Sequence, residues 1–174
     1  MRVAQVFFRN LMSILESRKL TLSWIEEKTG VSEVFLSTFE WIAAGLSFQI
    51  VIKVAMALGV SIRSLISKCD AMEITSYENM IPKEDYLSLY RHFWTAVDYE
   101  ANKQDKDLYD LAWCAGKTIA GLISCATRDK DIDVQRAEAI ALLLDTTIDD
   151  LVWEKIPEYP YEEENFDELL VANF

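Results

Sequence analysis

The side chains with the sharpest chemistry in this sequence are three cysteines and one histidine. Cys69, Cys114 and Cys125 have no C-x-x-C spacing, and His92 stands alone, so the ligand pattern of a zinc site is missing. Nothing in the spacing supports a cysteine nucleophile with His92 as its base. Cys114 and Cys125 fall on the apolar faces of expected helices, where a free cysteine acts as a small hydrophobe. Asp129, Asp131 and Asp133 imitate the opening of a calcium loop. Val134 then occupies the place of the required glycine, and Ile140 that of the bidentate glutamate. With no triad, phosphate loop or metal cluster in view, we expect a protein that is not an enzyme and carries no cofactor.

Binding chemistry is the remaining option, and charge constrains it. The formal charge of -12 counts against a phosphate backbone as partner. It is unevenly spread. Residues 1–70 hold eight Lys/Arg and six Asp/Glu, a charge of +2, whereas residues 71–174 hold nine and twenty-three, a charge of -14. The two halves should therefore behave differently.

The elements that would position such groups are helices. A 51% hydrophobic composition in 174 residues supplies ample core, while five Gly and three Pro leave helices as the default. No apolar run approaches the roughly 18 residues a membrane span needs. The apolar start is interrupted by Arg9 and Asn10, too early for an export signal, so a cytoplasmic protein without a membrane partner is expected.

Sliding the sequence over itself by 86 residues aligns the halves without a gap. Phe7, Ile25, Gly30 and Leu36 fall on Phe93, Leu111, Gly116 and Leu122; Val54, Ala55, Leu58, Ile62 and Leu65 fall on Ile140, Ala141, Leu144, Ile148 and Leu151. Each copy reads as five short helices. In the first, a stripe of Val3, Val6, Phe7, Leu11, Ile14 and Leu15 ends near 17–19. Thr21 caps residues 22–29 and Gly30 ends them; Ser32 caps 33–42; Ser47 caps 48–58, closed by Gly59; Ser61 caps a last helix through Leu65. The second copy runs from about Glu84 through Ala101, then 108–115, 118–127, 134–144 and 148–153. The expected domains are 1–67 and 83–156, with a linker at 68–82 and an acidic tail at 157–174.

The run Leu20-Thr21-Leu22-Ser23-Trp24-Ile25-Glu26-Glu27-Lys28-Thr29-Gly30-Val31-Ser32 resembles the signature of Cro/lambda-repressor-like (XRE-type) helix-turn-helix domains. Gly45-Leu46-Ser47 and Ile52 to Ser61 continue that family's pattern, and the likeness covers about residues 8–66. The second copy keeps its frame at Gly116, Leu122, Ile140, Ala141, Leu144, Thr147 and Leu151 with a degenerate sequence between. The resemblance implies an all-α chain of two tandem lambda-repressor-like five-helix domains, in which one helix crosses the phosphate backbone and the next enters the major groove.

On that reading Leu22, Ser23, Lys19 and Lys28 meet the backbone of double-stranded DNA, Glu33, Val34, Phe35, Ser37 and Thr38 face its bases, and Ser32 is a further DNA-binding candidate. The implied function is a DNA-binding regulator of repressor type, derived from a phage or mobile element and acting as a homodimer. Residues 33–42 contain no Arg, Lys, Asn or Gln, the side chains that read guanine and adenine. Leu22 also stands where the family has a phosphate-gripping Gln. A second reading follows: an antirepressor or anti-activator that keeps the scaffold and binds protein, its acidic half meeting a basic or DNA-binding partner. Trp41, Ile42, Phe166, Leu169 and Leu170 are its candidate interface residues.

Overall fold

Apolar residues at three- and four-residue spacing, punctuated by capping side chains, produce helices throughout the described residues, 2–41, 45–68 and 86–154, of a computed structural model. The elements are α1 Val3–Arg18, α2 Leu22–Thr29, α3 Glu33–Thr38, α4 Phe48–Leu58, α5 Ile62–Ile66, α6 Tyr86–Lys103, α7 Leu108–Cys114, α8 Ile119–Thr127, α9 Val134–Leu143 and α10 Ile148–Trp153. There is no strand among the described residues, and none of their helices is long and apolar enough to cross a membrane. The chain divides into two compact units, Met1–Tyr86 and Leu87–Phe174.

In the first unit the stripe of α1 is buried at Val6, Phe7, Leu11, Ile14 and Leu15, and α1 packs along α5. Helix α4, a strongly apolar element, lies against α2 and α5 and buries Phe48, Val51, Ile52, Val54, Ala55 and Leu58. Each of these side chains larger than alanine contributes about 1.5–3 kcal/mol on leaving water. Asn10 is buried in this core, with Nδ2 3.2, 3.1 and 2.9 Å from the carbonyls of Ser64, Leu65 and Ser67, so it satisfies the end of α5 from α1.

The second unit begins its helices in the same register. The starts of α7, α8, α9 and α10 fall 86 residues after those of α2, α3, α4 and α5. Thr21, Ser47 and Ser61 accept backbone N–H bonds as N-caps in the first unit, as Asp107, Thr118, Asp133 and Thr147 do in the second. Left-handed backbone recurs at that spacing, at Lys19, Gly30 and Gly59, then at Asp105, Gly116 and Asp145. A long-range bond recurs too. The Arg18 guanidinium donates to the Leu58 carbonyl, and Gln104 Nε2 donates to the Leu144 carbonyl at 2.7 Å. The aligned apolar pairs, from Phe7 and Phe93 to Leu65 and Leu151, are buried on both sides.

Three expectations change. The third helix ends at Thr38, because the next amides bond three residues back, Phe39 to Leu36, Glu40 to Ser37 and Trp41 to Thr38, a tightening that stops the α pattern. Ser32 makes no side-chain cap; Glu26 Oε2 accepts the Glu33 N–H at 2.8 Å instead, reaching across from α2. Cys114 is half-buried, with Sγ 3.1 Å from the Ala139 carbonyl, while Cys125 is buried as expected. Cys69, most of the linker, Ile42 and the acidic tail with Phe166, Leu169 and Leu170 lie outside the described residues.

Candidate functional site

Helix α2 is held by its Thr21 cap and by Ile25, fully buried beneath it, and it ends at Gly30 with φ +69°. Val31 then turns inward and α3 begins, anchored by Leu36. This arrangement leaves the opposite side of α3 facing outward. Val34 and Thr38 stand at i and i+4 along that side with Phe35 beside them, and Trp41 follows in the turn after the helix.

The outward face is apolar. Val34 is 75% exposed, Trp41 79% and Phe35 45%. Phe35 is oriented from within: its ring meets Phe39 edge-on at 5.1 Å, and buried Phe39 meets Phe7 edge-on at 5.8 Å. The hydroxyls of the face bond to their own helix. Ser37 Oγ donates to the Glu33 carbonyl at 2.9 Å, and Thr38 Oγ1 to that of Phe35 at 2.6 Å.

Around the start of α3 the groups are anionic. Glu26 caps the Glu33 amide, and the Ser23 hydroxyl donates to the Glu33 carboxylate. Of the expected phosphate contacts, then, Ser23 is engaged by a carboxylate, and Lys28 Nζ lies 3.2 Å from Glu27. Lys19 and Ser32 are exposed. The structure thus gathers Ser23, Glu33, Val34, Phe35 and Thr38 on adjoining surface, but with carboxylate and hydrocarbon where a DNA backbone requires N–H donors and cations. A patch of this kind can bury apolar area and attract cations.

In the second unit the positions aligned with Val34, Phe35 and Thr38 are Ala120, Gly121 and Ser124, so α8 presents no large side chain there. The protruding apolar residues sit elsewhere, at Tyr109 and Trp113 on α7 and Leu142 on α9. Two of the three aspartates that imitate a calcium loop have other tasks: Asp133 caps α9, and Asp129 forms a two-pronged pair with Arg91 at 3.1 and 2.7 Å. His92 Nε2 lies 2.7 Å from the Glu154 carbonyl, tying α6 to the end of α10.

Glu26, Phe39, Tyr109 and Trp113 escaped the reading of the sequence as site residues. The signal for the last two was present: Leu108, Leu111, Ala112 and Ala115 define the buried side of α7, which leaves 109 and 113 outside. No family model, curated protein or solved structure matches the chain.

Proposed function

We propose that the chain is a non-enzymatic cytoplasmic regulator of transcription that keeps a Cro/lambda-repressor-type helix-turn-helix scaffold in both halves and acts by binding protein, as an antirepressor or anti-activator. The observation that carries this reading is the surface of α3 and the turn after it, where Val34, Phe35 and Trp41 are exposed and the helix start holds the Glu26 and Glu33 carboxylates. Burying that face against phosphate gains no counterion release and adds repulsion, whereas burying it against an apolar protein surface rimmed by Lys and Arg gains both area and charge complementarity.

A second reading, a homodimeric DNA-binding repressor, draws on the exposed Lys19 at the entrance to α2 and the exposed Lys28 and Ser32 at the α2–α3 turn. One experiment separates the two. A photo-crosslinking amino acid replaces Phe35 in the full chain, expressed in the cells that make it. We expect adducts that protease removes and nuclease does not. Nuclease-sensitive adducts would establish DNA as the partner and overturn the protein reading.

A further inference from the structure

We infer that the second unit carries a separate docking surface, centred on Tyr109 and Trp113 of α7, for a cationic amphipathic segment of another protein. Trp113 is 89% exposed and Tyr109 71%, one helical turn apart on the side of α7 that its core residues leave outside. Solvent exposure of two large aromatics a turn apart is costly surface for a water-facing helix to keep without use. The scaffold does not demand them, since the aligned positions of the first unit hold Ser23 and Glu27.

Charge selects the occupant. Asp107 and Asp110 lie on the first turn beside Tyr109, both exposed. Across 87–154 there are seven Lys/Arg against thirteen Asp/Glu, a charge of -6. Two second units from separate copies would meet with -6 against -6, so pairing of this surface with its own like is the disfavoured arrangement. A segment bearing Arg or Lys gains twice: its cation stacks over the indole or phenol face, and its ammonium or guanidinium meets the neighbouring carboxylates. Its apolar side chains cover the rest of the two rings.

The surface is distinct from the α3 face, and the test keeps the two apart. The full-length chain is titrated with a synthetic amphipathic Arg/Leu peptide and with its Glu/Leu counterpart, and binding is followed by backbone amide NMR and calorimetry. The Arg/Leu peptide is expected to bind and to shift amides in α7. Trp113→Ser should weaken it at least about tenfold, Tyr109→Ser less, and Trp41→Ser not at all. Both side chains in the second unit are solvent-facing, so an unchanged circular dichroism spectrum certifies the variants. Equal binding of the two peptides, no binding, or binding insensitive to Trp113→Ser overturns the inference. So does a dimer, seen by sedimentation, that Trp113→Ser dissociates. Loss of binding through Trp41→Ser alone moves the site to α3 and leaves the function proposed above standing.

Discussion

The salt dependence of DNA binding gives the sharpest test of the α3 surface. The basic side chains flanking α2 are Lys19, Lys28 and Arg9, the last lining the same cleft as Leu22. If all three met phosphates, log K would fall with log salt at a slope of about -2.7, near -0.9 for each contact. Between 50 and 200 mM salt that is a loss of about 40-fold, against about a thousandfold or more for a protein gripping six phosphates. Glu26 and Glu33 work in the other direction. A carboxylate about 6 Å from a phosphate in water-like dielectric costs about 0.7 kcal/mol, so Glu26→Gln with Glu33→Gln should tighten binding about tenfold at low salt. The assay is fluorescence anisotropy with the full chain and duplex fragments from its own upstream region. Wild-type protein is expected to bind weakly and without sequence preference, with a slope no steeper than about -3. A slope near -5 or steeper, together with discrimination between fragments at physiological salt, would refute the reasoning and restore the base-reading role of α3.

Stability and pH provide three further expectations. Asn10→Leu preserves buried volume but strands the carbonyls that Asn10 satisfies at the end of α5; urea unfolding should show a loss of about 2–4 kcal/mol, and a loss under 1 kcal/mol would contradict the role assigned to that amide. Gly30→Ala meets no atom within 4 Å, so only its φ of +69° opposes it, at about 1–2 kcal/mol, while Asp145→Gly should stabilise by about 0.5–1 kcal/mol; thermal unfolding checks both signs. Burial, reinforced by nearby acidic groups, holds the Tyr90 hydroxyl well above the usual tyrosine range, and it donates to the Lys130 carbonyl at 2.6 Å. Its folded pKa exceeds the unfolded value of about 10, so its contribution is complete below pH 10 and declines above it as the unfolded chain gives up the proton first. Urea unfolding from pH 8 to 11 should show a shallower alkaline decline for Tyr90→Phe than for wild type; parallel curves would contradict this.

Much of the helical frame was legible because its punctuation is local. Thr21, Ser47, Gly30 and Gly59 mark α2 and α4, and the observed bounds are those the caps imply. The third helix was overdrawn because its apolar pattern continues to Ile42, whereas hydrogen bonding tightens after Thr38, a choice between i-4 and i-3 acceptors that side-chain periodicity does not register. The cap at 32 was misassigned for a related reason: Glu26 competes for the same amide from a neighbouring helix, and its reach depends on how α2 and α3 pack. Side-chain types located the α3 candidates, but the occupation of Ser23 by Glu33 and the turning of the Ser37 and Thr38 hydroxyls onto their own backbone are facts of three-dimensional placement.

The shared register of the two units has a genetic consequence. Gly30 and Gly116 adopt the same left-handed turn, and every later helix start lies 86 residues from its counterpart. A crossover between the two coding halves at those glycines would leave all downstream caps and buried positions in frame, even Arg18 facing the Leu144 carbonyl where Gln104 now stands. Recombination within the gene can therefore remove 86 residues in a single event and leave one chimeric unit that carries the bare surface of α8 in place of the α3 face, while the residues that hold its helices together keep their partners by kind.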